Sequence, residues 1–321
     1  MKIDKAKVKR ILVITLSNVG DIILTTPVVK TLELNFPDSR IDVMVGPNGK
    51  VIFEKDPAIS KVIVYDKHSS VAQKRRLSAK LRRLKYDLVV DLRNTIFGLL
   101  LGPRYRTSTV LRFPKRSLHK LEEHLFRLKE LGIEPLHKKM HIYITRQDED
   151  EAGSLLEAAG VRGGFVVVSP GAKSHLKRWQ EESFAGLCDR IISETGNDIV
   201  FIGLEEDADI VERISKKMKK GSFNFVNKTN LRSLAALMRR AKAVITNDSA
   251  PLHLACAVGI PVVALFGPTD PARYGPTGKH DIVVKKDIAC APCEVNVCRM
   301  DYACMRSIKP DEVFAAAKEL L

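Results

Sequence analysis

Short apolar runs alternate along the chain with longer segments whose apolar residues recur at helical spacing. The runs at 11–15, 41–45, 62–65 and 88–91 are the strand candidates of the first half. Those at 165–169, 199–202, 243–246 and 262–266 are the candidates of the second. Runs such as ILVIT, FVVVS and VVALF are rich in β-branched residues and do not alternate with polar ones. That pattern marks strands buried on both faces of a parallel sheet. Between the runs, residues 22–35, 73–85, 122–131, 181–195, 207–217 and 231–241 read as amphipathic helices, with Pro27 predicting a kink or an offset start in the first. Two sets of such alternation predict an α/β protein with two doubly wound domains. Residues 142–145 read as strand or linker, and 148–159 as a helix opening the second half. The division is placed near residue 155, giving domains 1–155 and 156–321, with a terminal helix at 310–321 that could pack on either.

A chain of 321 residues, 45% apolar and 28% charged, is long enough for two domains that each bury a core. No apolar run approaches the roughly 18 residues needed to span a bilayer. The basic residues 1–10 lead into only the short run 11–15 before polar Ser17 and Asn18, too little for the apolar core of a signal peptide. The expectation is a cytoplasmic protein whose six cysteines are reduced.

Charge adds a further feature. The formal net charge is +15, and residues 61–120 alone carry 16 basic and 3 acidic residues. So concentrated a patch attracts nucleic acid, an anionic membrane or an acidic substrate. Few aromatics are interleaved with the cations for base stacking, which argues against nucleic acid. Within the patch, KRRLSAKLRRLK at 74–85 has seven cations, no acid, and Leu77, Leu81 and Leu84 at helical spacing. It suits a helix lying on an anionic membrane, and equally a helix that packs its leucines on the sheet and solvates a basic back.

In open parallel sheets, ligands bind beyond the carboxyl ends of the strands, and four motifs fall there. Leu16-Ser17-Asn18-Val19-Gly20-Asp21 follows the first strand. Gly20 permits a tight turn or close ligand approach, and Asp21 falls at a helix start, as a general base or as a helix cap. Pro170-Gly171-Ala172 leads to Lys177-Arg178-Trp179, two cations suited to a phosphate beside a tryptophan better placed for packing than for sugar. Thr246-Asn247-Asp248-Ser249-Ala250-Pro251-Leu252-His253 is strand, loop and helix, in which Asp248 or Ser249 can cap and the helix N-terminus can take an anion. His253 lies about one turn in, facing a phosphate or the core. In Phe266-Gly267-Pro268-Thr269-Asp270-Pro271, Thr269 could reach the same phosphates. Glu205 and Glu206, near Gly203, supply strand-end carboxylates of the kind that bind ribose hydroxyls, although acids opening a helix also offset its dipole.

The strings NVGDIILTTPVVKTLELNFPDSRIDVMV, PGAKSHLKRWQEESFAGLC, VITNDSAPLHLACAVGIPVVALFGPTDPARY and CMRSIKPDEVF resemble glycosyltransferase family 9, the ADP-heptose:lipopolysaccharide heptosyltransferases. The resemblance covers nearly the whole chain and is nearer to type II than to type I. It implies a GT-B fold, two Rossmann-like domains facing across a cleft, with an ADP-heptose donor, inversion at the anomeric carbon and no metal requirement. By motif position Asp21 matches the family's catalytic base and Lys177 its phosphate lysine. Asp248, Ser249 and His253 match its diphosphate loop, and Glu206, or else Glu205, its ribose-binding acid. The implied partners are an ADP-sugar and an anionic lipid-linked saccharide of the lipopolysaccharide inner core. The basic region 61–120 would meet the cytoplasmic membrane surface, as befits a cytoplasmic protein peripheral to the inner membrane, and no nucleic acid is expected. A transferase for another nucleotide sugar, or a nucleotide-sugar epimerase on the same fold, is the alternative.

Cys290, Cys293, Cys298 and Cys304 fall as C-x2-C-x4-C-x5-C. The first pair has zinc-module spacing and the other intervals do not, so the expectation is no required cofactor, with a structural zinc on these four as the lesser alternative.

Overall fold

The structure, a computed structural model, describes residues 3–109 and 118–321. Arg112, Lys115 and Arg116 of the basic region lie outside the described residues. The chain forms two compact units, Met1–Tyr143 and Ile144–Leu321.

The first unit carries β1 (Arg10–Thr15), α1 (Val19–Ile23), α2 (Thr26–Asn35), β2 (Arg40–Val45), α3 (Lys50–Phe53) and β3 (Ile59–Val64). It continues with α4 (Val71–Arg83), β4 (Leu88–Asp91), α5 (Phe97–Leu100), β5 (Tyr105–Arg106) and α6 (Lys120–Lys129). Its sheet is parallel in the order β3-β2-β1-β4-β5. Ile11 to Ile14 and Leu88 to Val90 are fully buried, which explains why these strands lack polar alternation. Pro27 falls in the first turn of α2, so the single helix expected over 22–35 is instead two. Proline has no N–H to donate and is tolerated only where a helix starts, and Thr25 bridges the break by donating to the Ile22 carbonyl at 2.6 Å. Gly20 is an ordinary buried residue of α1 and does not shape a turn.

The second unit carries α7 (Arg146–Ala159), β6 (Phe165–Ser169), α8 (Glu181–Thr195), β7 (Asp198–Phe201), α9 (Ala208–Lys217) and β8 (Phe223–Asn224). Then follow α10 (Leu231–Arg240), β9 (Ala243–Asn247), α11 (Ala250–Val258), β10 (Val262–Phe266), α12 (Pro271–Tyr274), β11 (Ile282–Lys285), α13 (Ala303–Arg306) and α14 (Pro310–Lys318). Its parallel sheet runs β11-β10-β9-β6-β7-β8. Val166, Phe184, Phe201, Ile245 and Leu265 belong to its core. The short edges β5 and β8 are two residues long, too short to leave a run in the sequence, and were not anticipated; nor was half-exposed β11.

The division at Tyr143/Ile144 corrects the boundary near 155, which would cut α7 in two. That helix is tied to its own unit by a buried ion pair. The Arg232 Nε of α10 lies 3.1 Å from the Asp148 Oδ2 of α7. Residues 142–145 form no strand, so they are the linker. Helix α14 packs on α8 and β11, with Val313, Phe314, Ala316 and Ala317 buried, and so belongs to the second unit.

Burial alone would raise the Asp148 carboxyl, but hydrogen bonds from Thr145 and the Arg232 charge outweigh it and hold the group below its ordinary 3.8. A depressed carboxyl stabilises the fold above its unfolded pKa and loses that contribution as pH falls through the folded one. Asp148→Ala should therefore cost about 3–5 kcal/mol in urea unfolding at pH 7, because it removes one partner of a buried ion pair. The gap between wild type and Asp148→Asn should close as the pH drops below the ordinary carboxylate range. A gap independent of pH would mean that the pair contributes nothing through its charge.

Helix α4 uses its leucines for packing: Leu81 is buried in a cluster with Leu12, Ile14 and Phe97, and Leu77 and Leu84 pack against it. The apolar stripe of KRRLSAKLRRLK is thus consumed by the sheet and not presented to a membrane. No helix among the described residues is long and apolar enough to cross a bilayer.

Candidate active site

In the first unit the connections leave β1 and β4 in opposite directions, which opens a crevice at their carboxyl ends. The residues after β1 form α1, and Asp21 sits in its first turn, partly exposed. The Ser17 hydroxyl donates to Asp21 Oδ2 at 2.5 Å, fixing the carboxylate while leaving Oδ1 free of any described hydrogen bond. Asn18, and not Asp21, holds the capping position of α1, so the capping reading of Asp21 does not describe it.

His124 of α6 was not singled out from the sequence. Burial pushes its imidazole down to about 4, and Lys120, Arg93 and Arg127 push the same way while Asp21 opposes them. The imidazole is therefore neutral at pH 7, and the Asp21 charge is among those that act on it. Arg127 is buried, donating to the Asp91 and Ser108 carbonyls at 3.0 and 2.7 Å, and so pins the segments that follow β4 and β5. These residues lie about a hundred positions from Asp21 in sequence, and nothing in their local pattern marks them for the same unit's strand ends.

In the second unit the switch falls between β6 and β9. Lys177, in a short 3-10 turn after β6, reaches across it to Asp248 after β9, with Nζ–Oδ2 at 2.6 Å. Thr269, after β10, donates its hydroxyl to the same Asp248 oxygen at 2.6 Å. The structure thus brings together Lys177, Asp248 and Thr269 from three adjacent strand ends.

Both side-chain caps expected for α11 fail. Asp248 is spent on Lys177 and Thr269, and although Ser249 is the capping residue its hydroxyl turns to the Asn247 carbonyl and the Thr246 hydroxyl, each at 3.3 Å. A cation is a stronger partner for the carboxylate than a backbone N–H. The N-terminus of α11 therefore has no side-chain cap, though Pro251 removes one of its donors. His253 lies in the first turn of α11 and is buried.

Glu206 sits after β7 in a 3-10 turn, exposed, as is Glu205. Neither is brought against the Lys177–Asp248–Thr269 group by any described hydrogen bond. The third acid of that turn, Asp207, was missed. Its carboxylate fills the space beside Gly171, where an added Cβ would lie 2.1 Å from Asp207 Oδ1, and accepts from the Leu204 N–H at 3.0 Å. Burial raises the Asp207 carboxyl, against the pull of that hydrogen bond and of Arg178. Gly171 is therefore needed for a close approach between loops. Arg178, the second expected phosphate cation, turns back to donate to the Ala172 carbonyl at 2.9 Å.

Asn247, fully buried, was also overlooked. Its amide donates to the Pro170 carbonyl at 2.7 Å and its oxygen accepts from the Trp179 N–H at 3.2 Å, locking the loops after β6 and β9 together. Trp179 donates from its ring to the Ile308 carbonyl and meets Phe184 edge-on, as a packing anchor. Among the described residues no group of three or more His, Cys, Asp or Glu is arranged to hold a metal ion. The four late cysteines are free thiols, with Cys304 buried and Cys293 exposed.

Residues 112–303 match the model of glycosyltransferase family 9 (heptosyltransferase). Lipopolysaccharide heptosyltransferase 3 of Escherichia coli is 28% identical over 285 residues, covering 80% of this chain and 82% of the relative. The crystal structure of a glycosyl transferase family 9 protein from Veillonella parvula superposes with a TM-score of 0.86 at 27% identity, over 97% of each chain. The E. coli ADP-heptose lps heptosyltransferase II does so with a TM-score of 0.78 at 22% identity, over 97% and 98%. With two parallel Rossmann-like sheets of the GT-B type and a family match spanning more than half its length, the chain belongs to glycosyltransferase family 9, the heptosyltransferases, and is a glycosyltransferase.

Proposed function

We propose that this enzyme transfers a heptose from ADP-heptose, with inversion and without a metal, to the lipid-linked inner core of lipopolysaccharide. The observation that carries the reading is the Lys177–Asp248–Thr269 group beside the uncapped start of α11. Lys177 has three N–H donors, of which Asp248 takes one. The others suit a phosphate, and so does the positive end of the α11 dipole. Asp248, an acceptor only, orients the lysine and Thr269 and does not itself bind phosphate.

In the reaction, Asp21 takes the proton of the acceptor hydroxyl as its oxygen bonds to the anomeric carbon. The bond from that carbon to the β-phosphate oxygen breaks, and its electron pair leaves with ADP. Lys177 and the α11 N-terminus offset the charge gathered on the leaving group, a role that needs no bound cation. Ser249 and His253 belong to the start of the same helix, and Glu206, exposed in the turn after β7, is assigned the ribose hydroxyls. The lipopolysaccharide heptosyltransferase 3 of E. coli, a relative by sequence, supports a lipopolysaccharide acceptor.

A thermal-shift series with ADP, UDP and GDP tests the donor half. ADP at about a hundred times its Kd should stabilise the protein by about 2.7 kcal/mol, with UDP and GDP far weaker. Equal stabilisation by UDP would refute the ADP assignment, and isomerised product from a nucleotide sugar alone would favour an epimerase.

A further inference from the structure

We propose that the outer face of α4, together with the exposed tip of α5, is a docking surface for an anionic lipid bilayer. From His68 to Arg106 the chain carries ten Lys and Arg and two acids. Both acids are engaged by backbone N–H groups, Asp91 buried and Asp87 half-buried. Asp87 accepts the Lys9 and Arg10 N–H groups, and Asp91 accepts from Arg93 and Thr95. Arg75, Arg76, Lys80, Arg82 and Arg83 are exposed on α4, and none is in an ion pair among the described residues. A positive surface with its own counter-charges withdrawn is a surface complementary to a negative one.

Helix α5 supplies what α4 lacks. Phe97 and Leu101 pack into the same cluster as Leu77, Leu81 and Leu84 of α4, so the two elements share a footing in the sheet. Ile96, Leu99 and Leu100 stay outside, 63%, 52% and 47% exposed. Their loop is held in shape by Asp91, which accepts from both the Thr95 N–H and hydroxyl at 2.7 Å. Three exposed aliphatic side chains on a fixed loop, next to unpaired cations, match the two layers of a membrane interface: headgroup charge for α4, acyl boundary for α5. RNA fits less well, because aliphatic residues offer bases nothing to stack on, and Tyr86, Phe97 and Tyr105 are buried. This surface stands independently of the donor site in the second unit.

The test is co-sedimentation of the full chain with vesicles of phosphatidylcholine alone and of phosphatidylcholine with phosphatidylglycerol. Binding should need the anionic lipid and weaken with salt. Each cation near such a surface contributes about fivefold, so Arg75→Glu/Arg76→Glu should lower partition by at least about 25-fold. Ile96→Ser/Leu99→Ser should lower it by roughly tenfold or more, and should do so at high salt as well. Retention of the ADP-induced thermal shift shows that a variant is folded; should the first pair lose it, Arg82→Glu/Arg83→Glu, seven residues on, takes its place. Equal binding to neutral vesicles, unchanged binding of both variants, or RNA binding tighter than vesicle binding would overturn the proposal. The ADP shift of the wild type, read in the same preparation, reports separately on the donor site.

Discussion

Asp21→Ala should lower turnover by about 10²- to 10⁴-fold while leaving ADP affinity almost unchanged. The size follows from what the residue supplies: a base that takes the proton as the new bond forms, at a carboxylate held by the Ser17 hydroxyl. Asp21→Asn keeps the shape and a similar hydrogen bond from Ser17 but cannot accept a proton at that energy, so it should fall as far as the alanine variant. Ser17→Ala loses only the orientation and should fall much less, by roughly tenfold, the worth of one hydrogen bond. Single-turnover kinetics with saturating donor separates these effects from binding. An Asp21→Asn enzyme near wild-type rate would remove this carboxylate from the chemistry.

Lys177→Met is expected to show two effects with one cause. Its ammonium is the cation at the β6/β9 switch, and a charge-assisted hydrogen bond is worth about 1.5–3 kcal/mol, so ADP binding should weaken about 10- to 150-fold. The same change leaves the buried Asp248 carboxylate with Thr269 as its remaining described partner, at 2.6 Å. Stability should then fall by about 1–3 kcal/mol, the cost of a buried group stripped of its partner. Adding Asp248→Asn to Lys177→Met should recover much of the lost stability, because it removes the unpaired charge, but none of the ADP affinity. Calorimetric titration and urea midpoints on the two variants read the outcomes separately. Recovery of ADP affinity along with stability would show that Lys177 acts on the fold and not on the phosphate.

Most of the strand framework was legible because burial on both sheet faces leaves a direct imprint. β4, β6 and β10 coincide with their apolar runs, since every residue in them is buried. Edge strands such as β5 and β8 left no imprint, because two residues paired on one side carry no periodicity. The basic face of α4 was equally plain in sequence, but which surface its leucines meet was not.

The chain's own order of residues determined the class, two parallel doubly wound sheets, and placed Asp21, Lys177, Asp248 and Thr269 each just past a strand, because strand ends are marked by local apolar runs followed by turn residues. Tertiary structure alone decided that Lys177 and Thr269 share one Asp248 oxygen, that Ser249 leaves α11 uncapped, that Arg127 ties the segments after β4 and β5 together, and that the first unit closes at Tyr143. The reason is physical. Local sequence sets which residues can be helix or strand, whereas a hydrogen bond between residues tens of positions apart depends on strand order and on competition among partners, neither of which a linear pattern records.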